Sequence, residues 1–491
     1  MSGFRSTLAS VSRVFLWLAV SCGSSLSSVA AEEVKAGPAV SYYREVRPIF
    51  QERCQGCHQP AKAQGKFVIT SFAKILEGAD GETVVLPGKP GESLLVEEIT
   101  PEDGKASMPK GGEPLSPAEI ELISRWIAEG AKDDSPALER REYSMDNPPV
   151  YKAVPVLTAL DYSPDGTLLA VAGYHEVLLH HSDGSGIAAR LVGLSERIES
   201  LAFSPDGKSL AVTGGVQGQS GEVQIWDVTE IPAALSEGTP AARSAGRKLR
   251  VSVPVTYDTL YGVSWSPDSK LVAFGCADSS VRAIEAGSGK EVLFQGAHGD
   301  WVLGTAFSVD ASHLVSVSRD RTLKLIKVDT QQFIDNITSI TPGALKGGLM
   351  AVDCHPKKDE LLVGGADGVP KIYRMHREKK RTIGDDFNLI QKFDAVPGRI
   401  FSTEFDRDGT QIVTGSSFNN TGEVRVYKIE ESKLLWKVEM PGAIYSVTFS
   451  PDGKTAAACG FEGVVILLDA EVGSITKRFV PVPIERLARS F

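Results

Sequence analysis

A chain of 491 residues exceeds what one hydrophobic core ordinarily organises, so two or more domains are expected. Its 42% apolar content is that of a folded protein. A formal charge of -10 with a pI near 5.5 argues against nucleic acid as a partner, because phosphate binding draws on clustered Lys and Arg.

Residues 1–31 read as a secretory signal peptide. Arg5 and Arg13 precede a short apolar run, Val14 to Val20, and small residues follow as far as Ala30 and Ala31. The run is shorter than the ~20 residues that cross a bilayer. Export to the periplasm or cell envelope is therefore expected. Cys22, within Leu18-Ala-Val-Ser-Cys22-Gly, loosely resembles a bacterial lipoprotein signal, with Ala19 where a larger aliphatic is usual. Membrane attachment would depend on lipidation there. Cys276, Cys354 and Cys459 sit in apolar, strand-like runs and read as small buried hydrophobes.

The stretch Arg53-Cys54-Gln55-Gly56-Cys57-His58 is different, because two cysteines and a histidine fall within five residues. A redox dithiol should follow a strand in a βαβ unit, and nothing upstream reads as such a strand. A zinc site needs a second ligand pair, and no further CxxC or HxxxH occurs in the chain. C-x-x-C-H is also the attachment signature of c-type haem, with the thiols adding to the vinyl groups and the histidine as proximal ligand.

The flanks support that third reading. Tyr43 to Cys54 carries Val46, Ile49, Phe50 and Arg53 at helical spacing, with Pro48 marking a kink or a late start. Ser116-Pro117-Ala118-Glu119 offers an N-cap, a first-turn proline and a capping box, and Ile120, Ile123, Trp126 and Ile127 then form one stripe that Gly130 ends. Met108 lies in a Gly/Pro loop just before that helix. Methionine opposite histidine is the ligation of electron-carrying cytochromes.

Taken together, Tyr43 to Ala131 resembles the small all-α class I cytochrome c fold, in particular the cytochrome-like domain of exported planctomycete proteins. The resemblance rests on YYREVRPIFQERCQGCH, on LPGKPGESLL from Leu86, and on SMPKGGEPLSPAEIELISRWIAEGA from Ser107. It implies one covalent haem c in a domain over residues 40–132, with Cys54 and Cys57 as thioether residues, His58 as proximal and Met108 as distal iron ligand.

A polar, proline-containing linker over residues 133–150 leads into a repeat. An aromatic or similar residue followed by Ser-Pro-Asp-Gly or a relative recurs at Tyr162, Phe203, Trp265, Phe307, Cys354, Phe405 and Phe449, at intervals of 41 to 62 residues. Alternating apolar runs flank each turn, so each unit opens as a hairpin. Third strands follow at 222–228, 322–328 and 423–429. Such units mean a β-propeller over residues 151–491, and seven anchors predict seven blades. The units resemble WD repeats: Trp226-Asp227 supplies the name-giving dipeptide, and Gly296-Ala-His298 with Asp320 preserves part of the repeat's hydrogen-bonded set, although Ile326 replaces the tryptophan. Ile231 to Arg250 reads as an extended surface loop. Either the segment before Leu157 or that from Thr476 to Val482 closes the ring.

The expected function is an exported monohaem cytochrome that exchanges electrons with a redox partner protein, its propeller docking a protein partner. The alternatives are a haem oxidoreductase with a second cofactor in the propeller, and a haem-based redox sensor. For a second cofactor the candidate ligands are His175, His180, His181, His298, His313, His355 and His376, each of which also reads as structural or exposed.

Overall fold

The computed structural model describes residues 39–60, 62–135, 143–231, 248–296, 298–339, 346–382, 384 and 386–485. The signal-peptide reading with Cys22, and nearly all of the Ile231–Arg250 segment, lie outside these residues. No helix among the described residues is long and apolar enough to cross a membrane.

The first region is helical and small. A π-type turn at Tyr42–Val46 runs directly into α1 (Arg47–Arg53), with Pro48 in the first turn of α1. Pro48 thus marks a late helix start, where its missing N–H removes no intrahelical bond. Two short helices follow, α2 (Phe72–Glu77) and α3 (Leu94–Ile99). The capping box predicted for the last helix is present. In α4 (Pro117–Ala128) the Ser116 hydroxyl accepts from the Glu119 N–H and the Glu119 carboxylate accepts from the Ser116 N–H.

Packing holds α1 and α4 together. Trp126, 1% exposed, stacks on Tyr42 with ring centroids 5.4 Å apart and meets Phe50 edge-on at 6.1 Å. Its indole N–H donates to the Lys132 carbonyl at 3.0 Å, so this large ring is buried without an orphaned donor.

Beyond Tyr143 the chain is β-structure in seven blades of four antiparallel strands. Blades 3 to 7 are separate four-stranded sheets, while blades 1 and 2 form one ladder of seven strands. They are joined because the strand Ile187–Phe203 is the outer strand of blade 1 and, after Arg197, the inner strand of blade 2. The seven innermost strands neighbour one another in a closed circle, with blade 7 against blade 1. Among the described residues no strand is borrowed for closure. Instead the Leu157 N–H donates to the Gly460 carbonyl at 3.0 Å, and Tyr151 pairs with Ile484 in a parallel bridge. Both sequence candidates contribute, one as that bridge and the other as the outer strand Ile475–Phe479 of blade 7.

All seven anchors end an innermost strand. Five of the seven turns that follow work by one device. In blade 1 the Ser163 hydroxyl donates to Asp165 at 2.6 Å and accepts from the Leu168 N–H at 2.9 Å, closing the hairpin from inside. Ser204, Ser266, Ser308 and Ser450 repeat it. The fourth turn residue needs a left-handed backbone: Gly166 has φ +72°, and Ala311 in blade 4 takes φ +61° although it carries a Cβ.

Two substitutions separate this backbone requirement from packing. Gly166→Ala should lower stability by about 1–2 kcal/mol, whereas Ala311→Gly should raise the melting temperature. Thermal melts of the full-length variants check both; equal effects of the same sign would contradict the turn account.

Candidate haem site

The five-residue motif leaves α1 as a tight turn. The N–H groups of Cys57 and His58 both donate to the Cys54 carbonyl at 3.1 Å, which places the cysteines and the imidazole on one side of the chain. The segment returns through Phe67, whose ring meets the His58 ring edge-on at 5.5 Å, and the Ile69 N–H donates to the His58 carbonyl. From the opposite side, the Met108 N–H donates to the Glu98 carbonyl at 2.9 Å, seating the methionine loop at the end of α3. The Arg53 guanidinium ties the two sides together by donating to the Glu113 and Pro114 carbonyls at 3.0 and 3.1 Å.

Between them lies a cavity of about 300 Å³ lined by Cys54, Cys57, His58 and Met108. Its other walls are mainly aliphatic, among them Ile69, Val84, Leu95, Ile99 and Leu115. The volume falls at the low end of the roughly 300–1,000 Å³ of cofactor pockets. All four sequence-predicted site residues are therefore brought to one hollow. Met145, the other methionine near this region, does not line it.

The donor set fits a haem better than its rivals. Cys54 and Cys57 are not bridged. Burial pushes the Cys54 thiol up to about 11, with the Arg53 charge opposing and Glu119 adding to the rise. It is a protonated thiol at neutral pH, the reverse of the depressed pKa that makes a redox dithiol reactive. Among the described residues no three His, Cys, Asp or Glu side chains converge to hold a metal ion directly. The His58 Nδ1 is buried without a hydrogen-bond partner, which leaves an orphaned polar atom at the wall of an apolar cavity.

One contact was not legible beforehand. Gln55, between the two cysteines and 6% exposed, donates from its amide to the Gly218 carbonyl at 3.0 Å, linking the attachment turn to a hairpin tip of blade 2.

The propeller histidines have fold-holding partners. His298 bonds Asp320 at 3.0 Å and Ser316 at 2.8 Å, with Ile326 buried in place of the tryptophan. His180 is buried on one face of its strand, and His181 is half-buried on the other. His180 bonds the Pro481 carbonyl at 2.9 Å, and burial brings it down to about 4, so it is neutral. His175 bonds the Leu194 carbonyl, His355 the Gly409 carbonyl, and His313 and His376 meet edge-on with Asp359 beside them. Cys276 and Cys459 are buried as expected, while Cys354 is only half-buried.

Comparison with known proteins divides the chain along the same line. Residues 54–112 match the family model of the planctomycete cytochrome C domain. Residues 189–227, 252–284, 289–327 and 433–469 match the WD domain, G-beta repeat. The chain thus joins a cytochrome c-like segment to a WD-repeat region. It is similar to eukaryotic translation initiation factor 3 subunit I of Candida albicans, with 25% identity over 56% of this chain and 79% of that protein. The same subunit of Coccidioides immitis is 26% identical over 44% of this chain and 62% of its own length. Periodic tryptophan protein 2 of Saccharomyces cerevisiae is 22% identical over 65% of this chain and 35% of that protein.

The α1–α4 packing predicts that Trp126→Ala costs about 3–5 kcal/mol locally. Hydrogen exchange followed by mass spectrometry on the full-length protein should show protection lost across 42–53 and 117–128 and retained in the blades. Uniform loss over the chain would contradict a separately packed helical unit.

Proposed function

We propose that this protein is an exported monohaem c-type cytochrome that passes electrons, with its propeller as a docking platform for a protein partner. The observation that carries the proposal is the convergence of Cys54, Cys57, His58 and Met108 on one apolar cavity. The helical region is read as a class I cytochrome c-like domain, and the leader sequence supports a periplasmic or envelope location. Bound haem c would supply a one-electron ferric/ferrous couple.

The chain's own residues serve that couple by holding and insulating it. Cys54 and Cys57 would supply the covalent links, and His58 and Met108 would hold the iron. Leu95, Ile99 and Leu115 keep water from the cavity, which favours the less charged ferrous state and acts in the same direction as a thioether ligand. A haem held by both His58 and Met108 would offer its iron to no substrate, which favours electron transfer over catalysis. The WD repeats support a role in protein binding, as rigid propellers commonly present docking surfaces. The translation relatives bear that name for their own activity, and the acidic balance of this chain gives no support for a nucleic-acid partner.

In the full-length protein matured with haem, the double substitution Cys54→Ser/Cys57→Ser should abolish haem retention in acid acetone, and either single change should weaken it. Release of all haem from the wild-type protein would defeat the proposal. Met108→Ala should remove the weak far-red sulfur-to-iron band, lower the potential and open the iron to added ligands. If Met145→Ala does this instead, the distal ligand is misassigned.

A further inference from the structure

The axial channel of the propeller holds a cavity of about 690 Å³ whose wall repeats with the blades. Four residues before each anchor, the innermost strands place Tyr261, Leu303, Met350, Phe401 and Tyr445 in blades 3 to 7, with Thr158 and Glu199 in blades 1 and 2. In five blades that residue is the extra one of a β-bulge: the pairing register skips Glu199, Leu303, Met350, Phe401 and Tyr445. Bulges re-aim side chains, and here they put four apolar or aromatic side chains, and the Arg197-paired Glu199, on the channel wall. Phe401 and Tyr445 meet edge-to-face at 5.2 Å, and Trp301 stacks on Tyr261 at 5.8 Å.

One residue before the anchors, a second ring lines the same cavity and carries Asp161, Asp353 and Glu404. Each spends one oxygen on the neighbouring blade's backbone: Asp161 accepts from the Phe203 N–H at 2.7 Å, Asp353 from Phe405 at 2.8 Å and Glu404 from Phe449 at 3.3 Å. The side chains still border the open channel, which is why their residues are half-buried rather than sealed. Burial lifts Asp161 to about 7 and Asp353 to about 6, and raises Glu404 as well, with Asp353 adding to the rise at Asp161 and both adding to it at Glu404. Glu199 has its own cation, Arg197, at 2.7 Å. Among the described residues that line the cavity there is no lysine or arginine, so the inner carboxyls have no countercharge within it.

We propose that this channel receives a basic side chain, lysine or arginine, presented by a protein partner. The aromatic and aliphatic ring accepts the stem, and Tyr445, Phe401 and Tyr261 add cation–π attraction. The carboxyls of Asp353, Glu404 and Asp161 then neutralise the head group. Charge complementarity selects a cation, and the aromatic wall selects an organic one. The carboxyls do not converge as a metal site does. The inference rests on the docking-platform reading and names the recognition chemistry of that platform.

The test uses full-length, haem-loaded protein and the capped peptide Gly-Gly-Lys-Gly-Gly, with its glutamate counterpart as control, titrated by calorimetry or by NMR line broadening. The lysine peptide should bind and the glutamate peptide should not. Asp353→Asn/Glu404→Gln should weaken binding at least tenfold while keeping the amide oxygens that accept the Phe405 and Phe449 N–H groups. Tyr445→Ala should weaken it several-fold, and an unchanged haem spectrum and melting temperature show that either variant is folded. Equal binding of the two peptides, binding untouched by both variants, or calcium or zinc binding with no peptide binding each overturns the channel assignment. The platform reading itself fails on a different result, the absence of any protein cross-linked to the propeller in the native envelope.

Discussion

The helical region depends on a single crossing, that of α1 on α4 around Trp126. α1 ends in the Cys54–His58 turn, and the loop carrying Met108 leads into α4, so fixing the two helices fixes both walls of the cavity. A large indole at that crossing serves because it fills space in three directions at once, against Tyr42, Phe50 and Phe72. Arg53 then adds a direct tie between the walls through two carbonyls. Sequence spacing, helix capping and one packed ring thereby place two thiols, an imidazole and a thioether around one hollow.

The propeller follows a different logic, in which one short motif is reused and its variations carry the information. The serine-aspartate turn sets five of the seven hairpins, with His355 and Asp406 accepting backbone N–H groups in the serine's place in the other two, and the positions counted back from it alternate between wall and core. Where a repeat position bears on the fold, it is apolar or small. Where it faces the channel it diverges, into aromatic and aliphatic residues in blades 3 to 7 at one level and into carboxyls in three blades at another. The inter-blade hydrogen bonds of Asp161, Asp353 and Glu404 show that the same groups also join neighbouring blades.

Much of this was legible in the chain itself. The CxxCH motif, the capping box at Ser116, the apolar stripe through Trp126 and the seven anchors are local patterns, and local patterns survive folding. The start of α1 was displaced because a π-type turn takes the residues before Pro48. Ring closure was undetermined because it relies on a parallel bridge between Tyr151 and Ile484, which no periodicity announces. The channel carboxyls escaped notice for a related reason. Leu160-Asp-Tyr162, Val352-Asp-Cys354 and Thr403-Glu-Phe405 are far apart in sequence, and only the closed circle of blades makes them neighbours. Aligning the repeats on their anchors and comparing the preceding residue is the signal that would have revealed them. The Gln55–Gly218 bond is likewise a long-range contact with no local signature.

The central claim is that His58 and Met108 form the axial pair of one covalent haem. Near-infrared magnetic circular dichroism of the oxidised full-length protein tests it most directly, because the charge-transfer energy distinguishes histidine–methionine from bis-histidine and histidine–lysine ligation. A low-spin histidine–methionine signature that disappears in Met108→Ala is the predicted result. A bis-histidine or high-spin signature in the wild-type protein would contradict the account.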